Sequence, residues 1–396
     1  MRLEQLLQCV ETSSVIRYAV QLAPLSGDGL VCPPTYAAAK RGDPPYIAFR
    51  SAYIDGAVRQ VVVLDSPQSQ SNRIESALLA ASRAKRIAYP DIEIAFPPDS
   101  GEPIYSVLQL SHRVYDAVMR AALLGDQPFF ETGIGRAIVS ARISSAEPLL
   151  THAPVTLLLG AWDSNGGAGP LAAKIPRLLT SEIVGLDAQP ASISATKFDP
   201  MDIRSMVAEL VGTNDPVRRF EIKSPTGKSK DKGKKPSEFG FGSVPSTAAP
   251  RAAVISGAMQ SSVLSCSGLR QISFPDGSGE INPERDQAGR AVLAALGLYG
   301  LIAQNEAGYL LRSRCELIPR DAGRLEVLGR TLADTETVQL DSDGARQLLT
   351  QAREHATQFG LAFRDSVLRL TADDRLIDLV RRSREAASKG DSEQEA

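Results

Sequence analysis

Between Lys223 and Pro250 the chain has almost nothing from which to build a core, and this interruption constrains the fold more than any other feature. Lys223–Lys235 carries six lysines and one aspartate among Gly, Pro, Thr and Ser, and Pro236–Pro250 stays rich in Gly, Pro and Ser. A stretch of this kind buries too little apolar surface to offset the entropy of ordering it, so it is expected to be mobile. Any compact fold must then be assembled from segments far apart in sequence.

Those flanking segments show clear patterns. Ile16, Tyr18, Val20 and Leu22 alternate with Arg17, Ala19 and Gln21, the period of a half-buried strand, and Ala57–Leu64 reads as a second strand. It runs into Asp65-Ser66-Pro67, where Ser66 suits a helix cap and Pro67 the first helical position. Ile74, Ala77, Leu78 and Ala81 then share one helical face. A further helix is predicted over Ser106–Leu124, and Arg136–Ile143 alternates again as a strand. After the interruption a strand is predicted around Ser262–Phe274. An apolar helix follows from Asn282-Pro283 to about Ala303, then a strand over Tyr309–Ile318. Helices over Gly344–Gln358 and from Thr371 are expected to close the chain, with a frayed tail from Arg384. The order is compatible with a β-α-β-β-α-β core carrying large insertions. There is no internal repeat.

At 396 residues, 43% hydrophobic and 23% charged, the chain is long enough for one large domain or two to three ordinary ones. The net charge of −2 leaves any nucleic-acid role to local basic surface. Cys9, Cys32, Cys266 and Cys315 are scattered without a CxxC pair, which argues against structural zinc and fits a reducing compartment. The N-terminus lacks the apolar core of a signal sequence, and no apolar run reaches the ~18–20 residues of a membrane span. A cytoplasmic protein is expected.

Two stretches carry candidate chemistry. In Leu157–Leu186 an apolar run ends at Trp162 and meets the glycine-rich turn Asp163–Gly169. Lys174 and Arg177 follow, then a second apolar run. Exposed amides in such a turn favour anions, and cations just behind them suit a phosphate. The second stretch is Asp65–Glu75. On a helix, Ser69, Asn72 and Ser76 lie opposite Ile74, with Gln68 and Arg73 flanking them, a set of donors suited to phosphate and sugar oxygens at a helix N-terminus. Taken singly, an ordinary loop accounts better for the first stretch and a solvated helix face for the second. Gly227-Lys228-Ser229 imitates the end of a phosphate loop but lacks the upstream glycine, since position 222 is Ile222. His112, His152 and His355 are far apart, and neither a nucleophile elbow nor a metal-binding His-Glu-x-x-His run is present. Aromatic residues make up only 5% of the chain, a thin platform for reading bases. Tyr18 and Tyr309 are candidate stackers, although a core role suits both better. A protein of this composition would hold RNA by its backbone.

Val63–Ser76 (VLDSPQSQSNRIES) and Thr151–Ala188 (THAPVTLLLGAWDSNGG…KIPRLLTSEIVGLDA) together resemble the signature blocks of the backbone subunit of type I-G (formerly type I-U) CRISPR Cascade complexes, in the RAMP superfamily. The resemblance covers most of residues 10–320. It implies an α+β fold with an RRM-like (ferredoxin-like) palm and large finger and thumb insertions. The corresponding organisation is a core over 10–320, an insertion over 190–255 with its Lys-rich segment at 223–250, and a mainly helical C-terminal region over 321–396.

The function implied is guide-RNA (crRNA) binding by several copies assembling as a helical filament along the spacer, whose bases stay free to pair with target DNA in antiviral defence. Implied partners are the guide RNA, target DNA through the heteroduplex, neighbouring copies, a large subunit, a fused end-cap and RNA-processing subunit, and a helicase-nuclease recruited later. No membrane, cofactor, metal or enzymatic activity is implied. The RNA-facing residues carried over are Gln68, Ser69, Asn72 and Arg73 from the first block, and Lys174, Arg177, Thr180 and Ser181 from the second. Two alternatives are an enzyme acting on a phosphorylated small molecule through Asp163–Gly169, and a duplex-binding module using Lys223–Lys235.

Overall fold

A computed structural model describes all residues except Ala39, Arg41, Gly42, Asp55, 163–173, 194–197, 204–207, 214–217, 224–232, 243–248 and 391–396. The chain forms two compact units, Met1–Gln189 with Ala253–Asp373, and Pro190–Ala252 with Asp374–Ala396. The first unit is a mixed α+β structure. Its main elements are α1 (Leu3–Thr12), β1 (Val15–Pro24), β2 (Phe49–Ile54), β3 (Ala57–Asp65), α2 (Pro67–Arg83), β4 (Ile92–Ala95), β5 (Leu179–Leu186), β6 (Gly257–Ser265), α3 (Pro283–Glu306), β7 (Tyr309–Arg312), β8 (Cys315–Pro319), β9 (Arg324–Leu328), β10 (Thr335–Val338), α4 (Ser342–Gln358) and β11 (Leu368–Ala372).

The central sheet runs β7-β8-β1-β6-β5-β3-β2, with β9 pairing β1 and β10 pairing β9. Each pairing in it is antiparallel: Val15 faces Ser265 and Leu22 faces Ala258 across β1 and β6, while Leu179 faces Leu264 across β5 and β6. Thus β5 and β6, separated by the long interruption, pair as neighbours. The alternation along β1 does what its period requires: Ile16, Val20 and Leu22 are buried, and Gln21 is exposed. A core cluster gathers Val20 and Leu22 with Val62, Leu64, Ile183, Ala258, Tyr309 and Leu317. On the opposite face of the sheet Ile54, Val61 and Val184 form a smaller cluster.

The helix caps predicted at Ser66 and Asn282 are present. The Ser66 hydroxyl accepts from the Ser69 amide at 3.3 Å, with Pro67 at the first position of α2. Asn282 Oδ1 accepts from the amides of Glu284 and Arg285 ahead of α3. The two helices touch where Gly300 leaves room. A Cβ there would sit 2.9 Å from Ile74 Cγ2 and 3.2 Å from Leu78 Cγ, so the missing side chain is what permits the close approach.

Several expected elements are replaced. Ser106–Leu124 is not one helix but three 3₁₀ turns, Val107–Gln109, Arg113–Tyr115 and Ala117–Ala121, followed by strand Ala122–Leu124. The Asp116 carboxylate takes the Val118 amide, competing with a helical ladder, and Arg113 sits at φ 53°. Arg136–Ile143 is not a strand: Gly133–Ser140 is a helix, capped by Thr132 Oγ1 accepting from the Gly135 amide at 3.1 Å. Ile138 satisfies either period, and the cap decides between them. The strand expected to reach Phe274 ends at Ser265, whose hydroxyl caps the turn Cys266–Leu269. Tyr309–Ile318 is a hairpin of β7 and β8. Thr371 lies in β11, which pairs with β4 in parallel, and the last helix begins at Asp374. Residues 321–373 therefore contribute three strands as well as α4.

In the second unit, short strands Leu210–Gly212 and Phe220–Ile222 pair, Phe220 packs on Phe239 and Phe241, and Lys223 bonds to Glu209 at 2.8 Å. The glycine-rich turn Asp163–Gly169 and most of the lysine run, 224–232, lie outside the described residues. Among the described residues no helix is long and apolar enough to cross a membrane.

Candidate functional site

The two sequence blocks meet around α2. At the end of β3, Asp65 is fully buried, an arrangement that demands hydrogen-bonded compensation. It accepts from Ser69 Oγ at 2.7 Å, Gln70 Nε2 at 2.6 Å and Arg73 Nε at 2.9 Å. The Arg312 guanidinium stands 3.6 Å away and donates to the Leu64 carbonyl at 2.8 Å. Arg73 also donates to the carbonyls of Leu310 and Leu311, at 3.4 and 2.9 Å. One carboxylate therefore ties the first turns of α2 to β7.

Gln70 extends this hub into the interior. Its Oε1 accepts from Ser181 Oγ at 2.7 Å, Gln304 Nε2 at 2.9 Å and Gln260 Nε2 at 3.1 Å. Ser262 Oγ donates to Ser181 Oγ at 2.8 Å, and Tyr309 donates to Gln260 Oε1 at 2.9 Å. The network joins α2, α3, β5, β6 and β7. Burial pushes the Tyr309 phenol far above its ordinary value, so it stays a neutral donor.

One and a half turns along α2, Glu75 is buried and pairs in a bidentate fashion with Arg113, Nε to Oε1 at 2.6 Å and Nη2 to Oε2 at 3.2 Å. Arg113 Nη1 donates to the Gly160 carbonyl at 2.7 Å. These bonds hold Arg113 in its left-handed backbone conformation. Burial raises the Glu75 carboxyl, partly offset by Arg113. Arg177, two residues before β5, joins this corner on different terms. It is partly buried and donates from Nε to the Leu159 carbonyl at 3.2 Å, and no carboxylate among the described residues bonds to it. Burial lowers its pKa first, and the neighbouring Arg113 charge lowers it further. Two guanidinium groups here share one carboxylate.

The eight residues expected to face RNA thus divide. Gln68, Asn72, Lys174 and Thr180 are exposed. Lys174 stands opposite Trp162 in a two-residue ladder directly beside 163–173. Ser69 and Arg73 are partly buried and bonded to Asp65. Ser181 is 2% exposed, with its hydroxyl inside the interior network. The structure brings Ser69, Arg73 and Ser181 together through Asp65 and Gln70, and joins Arg177 to α2 through Glu75 and Arg113. Sequence reasoning passed over Asp65, Gln70, Glu75, Arg113 and Arg312. For Asp65 a signal existed, a carboxylate closing the apolar run Val61–Leu64. Tyr36 was also passed over. It packs on Tyr46 with ring centroids 5.8 Å apart and lies close to Ser66, Arg312 and Asp65.

Residues 16–190 match the family model described as CRISPR-associated protein GSU0053. The match indicates a CRISPR-associated protein family and supports a CRISPR-associated role. It spans less than half of the chain, yet both blocks, and every residue of the Asp65 and Glu75 clusters before β6, fall inside it. No curated protein matches the chain.

Proposed function

We propose that this protein is a guide-RNA-binding backbone subunit of a type I-G CRISPR Cascade complex, assembling in several copies along the spacer RNA. The observation that carries the reading is the Arg113–Arg177 corner. A partly buried guanidinium without a carboxylate of its own, repelled by a second one, is stabilised by an incoming anion, and a phosphodiester supplies one. Exposed Lys174 lies three residues away in sequence. The family match supports the same reading. So does the strand order β8-β1-β6-β5, with α2 and α3 both reaching the polar network on one face of the sheet, as a β-α-β-β-α-β palm requires.

In this reading Arg177 and Lys174 contact phosphates, and Gln68, Asn72 and Thr180 donate to neighbouring sugar or phosphate oxygens. Ser69, Arg73 and Ser181 position α2 and β5 from within. The partners are the guide RNA, target DNA paired to it, further copies of the chain and the other Cascade subunits. The protein itself has no nuclease role in this scheme.

The test is binding of two unrelated spacer RNAs across a salt series by Lys174→Ala and Arg177→Ala. Each lost phosphate contact should flatten the slope of log affinity against log salt by roughly 0.7, equally for both spacers. Unchanged slopes in both folded variants would remove this corner from the RNA path, and a loss for one spacer only would mean base reading. Cleavage of RNA or DNA by a clean preparation, abolished by one carboxylate substitution, would overturn the non-enzymatic part.

A further inference from the structure

A second cationic recess lies at the opposite end of β3 from Asp65. Here the ends of β1, β3, β5 and β8 and the start of β6 surround a cleft of about 240 Å³, lined in part by Gln21, Arg59, Leu186, Ser256 and Arg320. Arg59 and Asp65 lie six residues apart on one strand, about 20 Å at the usual strand rise. The cleft is therefore separate from the Asp65 hub.

Its side chains are held in place. Arg59 pairs with Asp187 at 3.2 Å, and Ser256 Oγ donates to the same Asp187 oxygen at 2.6 Å. Asp187 is kept at φ 51°. The carboxylate is thus committed to two donors inside the chain. Arg320 is fixed at its backbone, whose amide donates to the Gln21 carbonyl at 2.8 Å. Among the described residues its side chain makes only a long contact, Nη2 to the Ser256 carbonyl at 3.4 Å, and no carboxylate bonds to it. Gly257 lines the recess beside it. A Cβ there would meet Leu22 O at 3.4 Å and Arg320 Nη2 at 3.6 Å. Two guanidinium groups against one committed carboxylate leave an excess positive charge facing a polar cleft.

We infer that this cleft binds a phosphate oxyanion, with Arg320 as its principal donor and Arg59 held beside it by Asp187. A planar guanidinium matches two phosphate oxygens at once, and its exposed position lets a ligand reach it without unfolding anything. The phosphate could belong to the RNA backbone, a version that rests on the proposed function, or to a free phosphate or phosphomonoester. The shared chemistry fixes the site, and the source is decided by experiment.

The full-length chain, its Arg320→Ala variant and its Arg320→Lys variant are compared in two arms. The first measures the thermal shift produced by inorganic phosphate against chloride at matched ionic strength. The second measures affinity for a labelled single-stranded RNA from 50 to 200 mM salt. Wild type should be stabilised by phosphate, and Arg320→Ala should lose that shift. If RNA supplies the phosphate, Arg320→Ala should flatten the salt slope by roughly 0.7, so its deficit against wild type narrows about 2.6-fold over that range. Arg320→Lys, a point charge without the planar fork, should keep most of the slope and part of the phosphate shift. A phosphate effect with an unchanged RNA slope assigns the cleft to free phosphate. A phosphate effect in a wild type that binds no RNA keeps the site and overturns the proposed function instead. If Arg320→Ala matches wild type in both arms, the inference is wrong whatever becomes of the RNA reading.

Discussion

Asp65, at the end of β3, and Glu75, in the third turn of α2, are each a buried carboxylate beside two arginines, yet they leave their cations in different states. At Asp65, Arg73 uses Nε on the carboxylate and both terminal nitrogens on the carbonyls of Leu310 and Leu311. At Glu75, Arg113 is similarly consumed, while Arg177 makes a single bond to Leu159 O and feels the repulsion of Arg113. A cation with each of its three nitrogens bonded to its own chain is part of the architecture. One with donors to spare in a half-buried, like-charged corner is available to a ligand. Charge and position along the sequence do not distinguish the two, but the use of each nitrogen does.

The largest effect should come from breaking the closed hub. Asp65→Ala removes the acceptor for Ser69, Gln70 and Arg73 and leaves buried donors uncompensated, a change that typically costs about 3–5 kcal/mol. Asp65→Asn, which keeps one acceptor oxygen, should lose less. Urea unfolding of both variants checks this. A loss below about 1 kcal/mol for the alanine variant would show that the hub is not closed as described, and the contrast with Glu75 would fail.

Asp91 sharpens the comparison, because it is a buried carboxylate with hydrogen bonds but, among the described residues, no bonded cation. Its Oδ1 accepts from Ser106 Oγ at 2.7 Å and the Ile92 amide at 2.8 Å. Burial pushes its pKa up to about 6 from 3.8, against the lowering by Ser106. The folded state therefore holds this proton more tightly than the unfolded chain. Stability falls as pH rises from about 4 to 6, and the penalty is complete above that range. Two pKa units correspond to at most ~3 kcal/mol. Asp91→Asn should be more stable than wild type at pH 7.5 by up to that amount, with the gain roughly halved at pH 5. A gain that grows on acidification would reverse the assignment.

Much of the fold was legible where local signals were strong. The period-two run of β1, the Ser66-Pro67 start of α2 and the Asn282-Pro283 start of α3 each have one backbone solution that satisfies both pattern and cap. The failures came where the pattern allowed two periods or where a tertiary bond outweighed propensity. Ile138 fits a strand or a helix, and Thr132, four residues before the alternating stretch, settles it. Arg113 lies in a helical pattern, but Glu75 and the Gly160 carbonyl, distant in sequence, hold it at positive φ. The site was legible at the level of segments and not of roles. Nothing in SPQSQSNR says that Ser69 and Arg73 will turn inward to Asp65 while Gln68 and Asn72 stay exposed. That division depends on β7, more than two hundred residues later.

The smallest expected effect on stability is the one that tests the comparison most directly. Arg73→Ala should cost about 2 kcal/mol, since it breaks a charged hydrogen bond to a buried carboxylate and strips two carbonyls of a donor. Arg177→Ala removes one bond of 3.2 Å and also removes the like charge beside Arg113. The two nearly cancel, so its unfolding free energy should stay within about 0.5 kcal/mol of wild type. In RNA binding the order should reverse. On the proposed function, Arg177→Ala should lose a phosphate contact and flatten the salt slope, whereas Arg73→Ala should change affinity only as far as α2 shifts, with the slope kept. Parallel urea titrations and salt-dependent binding on the two variants separate stability from grip. If Arg177→Ala destabilises the protein as much as Arg73→Ala, its guanidinium is structural after all. If both flatten the slope equally, the Asp65 hub opens on RNA and is no more closed than the corner at Glu75.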